Sequence, residues 1–190
     1  MAYKVPVGVS NKHLHLSQAD LEVLFGAGYQ LTKKKDLKQP GQFAAEECVD
    51  IVGPKATAKN VRVLGPVRKE SQIELAQTDC RALGIKAPIR QSGHLEGTPG
   101  VKLVGPKGEL ELAKGVIVAQ RHIHLSDAQA KEAGVVDQQV VSVKVDGPRA
   151  LVFEEVVCRC GDAHTSEFHV DTDEANAAGL GNDVEVEILK

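Results

Sequence analysis

The chain has 190 residues, of which 42% are hydrophobic and 26% charged, which is typical of one compact domain or two small ones and excludes disordered and fibrous proteins. A formal net charge of −3, an isoelectric point near 6.2 and only 3% aromatic residues, with no Trp, argue against nucleic acid as a partner. No apolar run approaches the roughly 18 residues that a membrane-spanning helix needs, so no membrane partner is expected.

The first predicted element is a strand in which Val5, Val7 and Val9 alternate in phase with His13 and His15. A short helix should follow over 17–26, with Ser17 as its N-cap and Gly26 or Gly28 at its end. The remaining predicted elements are short helices over 78–83, 126–133 and 172–178 and Val-rich strands over 49–52, 61–64, 101–104, 110–112, 140–145, 151–157 and 184–189. Frequent turns between short strands favour a mainly β fold of small barrels over a doubly wound sheet.

An eleven-residue segment occurs twice, as Val9-Ser-Asn-Lys-His-Leu-His-Leu-Ser-Gln-Ala19 and, 109 residues later, as Val118-Ala-Gln-Arg-His-Ile-His-Leu-Ser-Asp-Ala128. In the second copy Ser126, followed by Gln129, again predicts a helix N-terminus, and Gly134 predicts its end. Each copy is therefore expected to be a strand that ends in His-x-His and leads into a short helix. Two copies indicate a duplicated domain rather than a solenoid.

A weaker repeat follows each copy at an offset of 95 residues. Ser71-Gln-Ile-Glu74 aligns with Ser166-Glu-Phe-His169, and Ala82-Leu-Gly-Ile85 aligns with Ala177-Ala-Gly-Leu180. On this alignment Glu74 occupies in the first half the position that His169 occupies in the second.

Residues i and i+2 of a strand point to the same face about 6.6 Å apart, so two imidazoles in that pattern can converge on one ion. One His-x-His could equally be an exposed pair on an edge strand, but two copies in matched contexts favour metal binding. Adding the aligned third ligands predicts two sites, His13/His15/Glu74 and His122/His124/His169. Three protein ligands leave an open position, which is typical of catalytic centres. The Glu-containing site is the less positive and would suit a soft thiolate, whereas the all-His site would attract an anion such as phosphate.

Beyond these motifs, five segments resemble one family: Pro6–Leu16, Gly65–Glu74, Pro88–Gly100, Gln120–Leu125 and Asp171–Gly179. Together they resemble the propanediol-utilisation-type phosphotransacylases, also called phosphate propanoyltransferases, over nearly the whole chain. The resemblance implies reversible transfer of a propanoyl or acetyl group between coenzyme A and inorganic phosphate. It also implies two β-barrels with short capping helices and a dimetal site between them. The barrels would comprise 12–119, with a lid segment near 30–46, and 120–190, completed by strand 1–11.

The resemblance assigns two divalent ions, expected to be zinc, to the six ligands named above, with the coenzyme A sulfur completing the shell of the ion on Glu74. Arg68 matches a family arginine at the phosphate site, although an Arg before Lys69 and Glu70 is on its own typical of solvated surface. Gln39 and Gly41 lie in a segment that resembles the one over the family's active site and are candidate coenzyme A contacts, as is Arg90 for the coenzyme A phosphates. On residues alone these three positions belong to surface turns, and cobalt or nickel would also suit the histidines.

Two alternative functions stay open at this point. One is a dimetal hydrolase of thioesters or acyl phosphates, although the HxHxDH signature of binuclear hydrolases is missing after both His-x-His pairs. The other is a non-catalytic metal-binding module with closed sites. The sequence also leaves open acyl-chain preference and whether the chain forms a homo-oligomer such as a dimer.

The four cysteines, at positions 48, 80, 158 and 160, are too few for a disulfide scaffold in a chain of this length. Cys158-x-Cys160, with His164 nearby, has spacing that could chelate zinc, but buried thiols are the preferred interpretation, and His94 is expected at the surface. The chain begins directly with a strand pattern, without features of a secretory signal or of an amphipathic microcompartment-targeting extension. A cytoplasmic enzyme is therefore expected.

Overall fold

A computed structural model describes residues 3–190, so the first two residues of the predicted strand 1–11 lie outside the described part of the chain. The described residues form fifteen strands and four short helices, which confirms the mainly β fold. The chain divides into two compact units. The sheet unit comprises Lys12–Leu37 and Gly41–Ala119, and the barrel unit comprises the segment that ends at Asn11, Lys38–Pro40 and Gln120–Lys190.

The sheet unit contains an open sheet of nine strands and two short helices. Its strands are β2 (His13–His15), β3 (Lys33–Asp36), β4 (Phe43–Val52), β5 (Thr57–Gly65), β6 (Gln72–Glu74), β7 (Ile89–Arg90), β8 (Val101–Val104), β9 (Glu109–Leu112) and β10 (Val116–Ala119), and its helices are α1 (Gln18–Phe25) and α2 (Gln77–Leu83). The order across the sheet is β7-β10-β6-β2-β5-β4-β8-β9, with β3 paired to β4. Alternate residues of β4, β5 and β8 are buried, as expected for strands with one face on the core.

The barrel unit contains a closed barrel of six strands in the order β1-β14-β11-β13-β12-β15. These strands are β1 (Tyr3–Ser10), β11 (His122–Leu125), β12 (Val140–Val145), β13 (Leu151–Cys160), β14 (Glu167–Asp171) and β15 (Glu185–Leu189), and the helices are α3 (Asp127–Ala133) and α4 (Thr172–Ala178). Its core includes the fully buried side chains of Val5, Val7, Ile123, Leu125 and Phe168. Closure leaves the barrel without an unpaired edge.

The two His-x-His strands have equivalent neighbours. In the sheet unit β2 runs parallel to β5 and antiparallel to β6, and in the barrel unit β11 runs parallel to β13 and antiparallel to β14. The strand before each motif also has an equivalent partner, because β10 runs parallel to β6 and β1 runs parallel to β14. Each of these preceding strands belongs to the unit that does not contain the His-x-His strand following it. The duplication detected in the sequence is thus a duplication of strand topology.

The helix ends follow the predicted capping residues. The Ser17 side chain accepts a hydrogen bond from the Asp20 backbone N–H, and Ser126 and Gln129 form a reciprocal capping box. Gly134 ends α3 in the left-handed region, with φ of 66°, which favours glycine because a side chain would be strained there. All four predicted helices are confirmed to within one residue at either end. In the described part of the chain no helix is long and apolar enough to cross a membrane.

Candidate metal centres

In the sheet unit, two histidines share the face of β2 that lies opposite the hydrophobic core. Leu14 is fully buried in that core, so the alternation of a strand directs His13 and His15 to the other face. Both imidazoles are nonetheless nearly buried, at 8% and 2% exposure, and their ring centroids are 5.1 Å apart. Two close imidazoles, largely removed from water, form the base of this cluster.

Strand pairing brings Glu74 to the same cluster. Glu74 is the direct partner of His13 in the antiparallel register of β2 and β6. Its Oε2 lies 3.5 Å from His13 Nε2, and its Oε1 lies 3.8 Å from His15 Nε2. The ligand atoms of the three residues all lie within 4.8 Å of one another. The structure therefore brings together the three residues predicted for the first site.

The barrel unit repeats this arrangement with histidine in the third position. His122 is the direct partner of His169 in the register of β11 and β14. The ring centroids of His122 and His124 are 4.7 Å apart. The His169 centroid lies 5.0 Å from that of His122 and 4.9 Å from that of His124. The three residues predicted for the second site also form one cluster.

The chemistry of the donors fits a divalent cation in both clusters. His122 Nδ1 lies 2.8 Å from the Gln120 carbonyl and His15 Nδ1 lies 3.2 Å from the Leu64 carbonyl. Because a carbonyl can only accept, each Nδ1 carries the proton and each Nε2 presents a lone pair. The Nε2 atoms of His122 and His124 approach to 3.1 Å, and the buried His124 Nδ1 has no hydrogen-bond partner among residues 3–190. Two nitrogens converging in a buried site are what a cation with nitrogen ligands requires.

The surroundings of His15, His124 and Glu74 keep these three side chains deprotonated near neutral pH. Burial and the neighbouring His13 and Arg68 lower the pKa of His15 to about 3. Burial, reinforced by His122 and His169, also strongly lowers the pKa of His124. Burial alone would raise the pKa of Glu74, but contacts with His13, His15 and Arg68 outweigh it and hold that pKa well below its usual range. Metal binding at these positions therefore need not displace a proton.

Arg68 is connected to the Glu74 cluster through Ser92. Arg68 Nη1 donates to Ser92 Oγ at 3.0 Å, and Ser92 Oγ donates to Glu74 Oε1 at 3.3 Å. The Arg68 backbone N–H donates to the Leu16 carbonyl at 2.8 Å, directly after the His-x-His strand. Both ends of Arg68 are thus tied to the elements that carry the ligands of the sheet unit.

The other predicted site residues occupy different environments. Gln39 is buried, donates from Nε2 to the Thr165 carbonyl and the Glu167 carboxylate, and accepts from the Thr165 N–H. Gly41 lies in an exposed turn with φ of 75°, where no atom of the described residues lies within 4 Å of an added Cβ. Arg90 is exposed in β7, and its Nη1 donates to the Ile89 carbonyl.

The Cys-x-Cys pair stands outside both clusters. Cys158 is fully buried in the barrel core, and burial raises its thiol pKa to about 12. Neither Cys158 nor Cys160 joins a metal-binding group among residues 3–190. This supports the interpretation of buried thiols. His94 is exposed, as expected.

Sequence reasoning missed four residues beside the clusters. Gln72 and Glu167 contact Glu74 and His169, Ser92 links Gln72 to Arg68, and the His164 ring packs on His124 with centroids 4.4 Å apart. The weak repeat contained a signal for the first two, because it aligns Gln72 with Glu167 two residues before each third ligand. Ser92 and His164 are brought in by loops; no spacing rule pointed to Ser92, and His164 had been associated only with the Cys158-x-Cys160 pair.

Comparison with known proteins gives consistent matches to one family. The phosphate propanoyltransferase family model matches residues 6–181. A Thermotoga maritima protein named phosphate propanoyltransferase is 57% identical over 92% of this chain and 83% of its own length. Proteins of the same name from Lachnoclostridium phytofermentans and Salmonella typhimurium are 56% and 54% identical, each over 94% of this chain and over 84% and 85% of their own lengths.

The fold and the comparisons together define a mainly β acyltransferase with two clusters of three candidate metal ligands. More specifically, the chain belongs to the phosphate propanoyltransferase family.

Proposed function

We propose that this protein transfers a short acyl group, propanoyl or acetyl, reversibly between coenzyme A and inorganic phosphate. The products in one direction are an acyl phosphate and free coenzyme A. The observation that carries the proposal is the family match over residues 6–181, which includes both ligand clusters and Arg68.

The proposal includes a dinuclear centre. His13, His15 and Glu74 would hold one divalent cation and His122, His124 and His169 the other, with zinc as the expected metal. Bound divalent cations supply Lewis-acid stabilisation of a thiolate and of phosphate oxygens. The unlike third ligands assign these roles, because Glu74 cancels one positive charge in the sheet unit and His169 cancels none in the barrel unit. The sheet-unit cluster therefore suits sulfur, and the barrel-unit cluster suits phosphate.

Arg68 would orient the phosphate. A guanidinium presents its donors as a planar fork that matches two phosphate oxygens, which a lysine ammonium cannot do. The hydrogen bond from Nη1 to Ser92 restricts rotation of that fork before substrate binds. Such preorganisation lowers the cost of orienting the nucleophile at the moment of reaction.

The proposed chemistry is direct transfer. A phosphate oxygen attacks the thioester carbonyl carbon, the C–O bond forms, the C–S bond breaks, and coenzyme A leaves as a thiolate. No acyl-enzyme is required. The thiols of Cys158 and Cys160 support this version, because burial raises the pKa of both and leaves them poor nucleophiles.

The remaining assignments are also proposals. Arg90 and Gly41 would contact coenzyme A, and Gln39 would anchor the lid segment near 30–46 rather than offer its amide to substrate, since that amide is bonded to Thr165 and Glu167. We propose residues 12–119 and 120–190 with strand 1–11 as the functional domains, a cytoplasmic location, and a homo-oligomer such as a dimer.

The test is release of coenzyme A from propanoyl- and acetyl-coenzyme A, with and without phosphate, on protein whose metal content has been measured. The proposal expects release that requires phosphate and yields acyl phosphate, with both substrates bound before either product leaves. Thiol release independent of phosphate would instead show the dimetal hydrolase. Ping-pong kinetics with an isolable acyl-enzyme would contradict direct transfer.

A further inference from the structure

Gln72 and Glu167 occupy the same position in the two repeats, two residues before the third ligand on the same face of its strand. We propose that they are a matched pair of positioning residues. Each supplies the polar partner that the third ligand of its own unit requires, a donor for the carboxylate and an acceptor for the imidazole. The inference rests on the two proposed metal centres and assigns a new role to residues beside them.

In the sheet unit the neighbour is a donor. Gln72 is 1% exposed, and its Nε2 donates to Glu74 Oε1 at 2.6 Å. The amide is itself held on both sides, because Nε2 also donates to Ser92 Oγ at 2.7 Å and Oε1 accepts from the Gly93 N–H at 2.7 Å. With both polar atoms engaged, the amide cannot flip without losing bonds. The orientation of Glu74 therefore follows from that of Gln72.

In the barrel unit the neighbour is an acceptor. Glu167 is 9% exposed, and its Oε2 lies 2.6 Å from His169 Nε2, which donates to it. Gln39 Nε2 holds the same carboxylate oxygen at 3.1 Å. Gly8 lies beside Glu167, and a Cβ at Gly8 would lie 2.6 Å from Glu167 Oε1. The absence of a side chain at position 8 thus leaves the room that the Glu167 carboxylate occupies.

The pairing is complementary and not interchangeable. A glutamate at position 72 would oppose the Glu74 carboxylate with like charge, and a glutamine at position 167 would replace a charged acceptor by a weaker neutral one. Hydrogen bonds to metal ligands generally fix ligand orientation, and losing one typically weakens metal binding 10- to 100-fold. An exchange of Glu74 or His169 should therefore preserve metal binding only if Gln72 or Glu167 is exchanged with it.

The experiment converts each triad into the other. In the sheet unit, Glu74→His alone is compared with Gln72→Glu/Glu74→His. In the barrel unit, His169→Glu alone is compared with Glu167→Gln/His169→Glu. Full-length protein stripped of metal is titrated with Co²⁺, followed by its visible absorption bands and by metal analysis. In each variant, Co²⁺ binding at the unaltered unit serves as an internal control for correct folding.

We expect wild type to bind two Co²⁺ and each single exchange to weaken its own site at least tenfold. Each double exchange should recover most of that loss and shift the absorption bands of the altered site toward those of the other unit. Glu167→Gln alone should weaken only the barrel-unit site, by about 10- to 100-fold. Gly8→Ala should do the same by displacing Glu167. The matched control is Glu185→Gln, an exposed charge on β15 of the same barrel, which should bind Co²⁺ like wild type.

Two outcomes would overturn the inference and leave the proposed metal centres intact. Double exchanges that bind no better than the single exchanges would show that the neighbours do not position the ligands, and so would wild-type affinity in Glu167→Gln. In either case wild type would still bind two ions, and the proposed metal centres would stand. Failure of wild type to bind Co²⁺ would instead overturn the metal centres and this inference together.

Discussion

The two ligand clusters share a backbone arrangement and differ in side-chain chemistry. In both units the third ligand is the direct cross-strand partner of the first histidine, His13 with Glu74 and His122 with His169. The cluster of the sheet unit carries a carboxylate, whereas that of the barrel unit is entirely imidazole. The comparison teaches that strand register determines where the candidate ligands meet, while a single side chain determines the charge of each cluster.

The comparison extends to the residue before each motif. Lys12 forms an ion pair of 2.8 Å with Asp79 on α2, and Arg121 forms one of 2.9 Å with Glu174 on α4. Six residues before the third ligand, by contrast, the sheet unit has Arg68 and the barrel unit has Ala163. Duplication has therefore retained the contacts that hold the strands, whereas the position proposed to bind phosphate differs.

Removing one candidate ligand from either cluster should have the largest effect on metal content and turnover. His15→Ala and His124→Ala should each lose one ion of two and retain the other, because each cluster has three candidate ligands of its own. Turnover should fall by about 100- to 1000-fold or more in both, the usual effect of losing electrostatic stabilisation of a transition state. Metal analysis with the phosphate-dependent assay measures both effects. His94→Ala, at an exposed position, is the control, and loss of both ions from one variant would contradict independent sites.

Arg68→Ala makes the sheet unit resemble the barrel unit at that position. We expect the phosphate concentration for half-maximal rate to rise about 10- to 100-fold, since a hydrogen bond to a charged group contributes about 1.5–3 kcal/mol. Metal content should not change. Arg68→Lys should recover only part of the loss because it keeps the charge without the fork. Unchanged phosphate kinetics in the alanine variant would remove Arg68 from the site.

Acid should destabilise the metal-free protein through both clusters. The native pKa values of His15 and His124 lie below the unfolded value of about 6.5, so the unfolded state binds more protons and stability falls as the pH falls through that value. Between pH 6.5 and 5.5 each imidazole should cost about 1 kcal/mol of unfolding free energy. Glu74, with its lowered pKa, adds to the loss only below about pH 4.5.

Urea denaturation at several pH values tests this prediction. In His15→Gln and His124→Gln the free energy of unfolding should decline less steeply with falling pH than in wild type. His94→Gln, altered at an exposed histidine, should decline as steeply as wild type. Equal slopes for all four proteins would contradict it.

The two ion pairs should show the smallest effects and should not be equal. Arg121 also donates from Nε to the Glu154 carbonyl at 2.7 Å and lies 5.4 Å from the centroid of the Phe153 ring. Arg121→Met should therefore cost about 1–2 kcal/mol, and Lys12→Met less than about 1 kcal/mol. Urea denaturation at pH 7.5 measures both, and a larger loss in Lys12→Met would contradict the comparison.

Much of the fold and both clusters followed from local patterns. The duplicated His-x-His segments and the capping signals at Ser17 and Ser126 predicted strands, helices and four candidate ligands, which the structure brings together in two clusters. The weaker repeat added Glu74 and His169. Their strands, β6 and β14, were not predicted as strands, because three and five residues are too few for a polar–apolar alternation to be distinguished from chance.

The remaining features depend on contacts between distant residues. Gln39 meets Glu167 across 128 positions of sequence, and Ser92 meets Gln72 through a turn without a spacing signature. The same strand patterns would suit a closed barrel or an open sheet, so only tertiary structure distinguished the two units. The resemblance to a family supplied Arg68, which periodicity alone would have left on the surface.

The pairing of β1 has a consequence for biosynthesis. Tyr3 pairs with Ile188, and Val7 pairs with Phe168, so β1 needs partners that are translated 161 to 185 residues after it. At about 5–20 residues per second, translation leaves this strand waiting on the order of ten seconds or longer. A fragment starting at Gln120 would lack β1, one of the six strands of the barrel, and would expose the edges of β14 and β15. Unpaired strand edges favour aggregation.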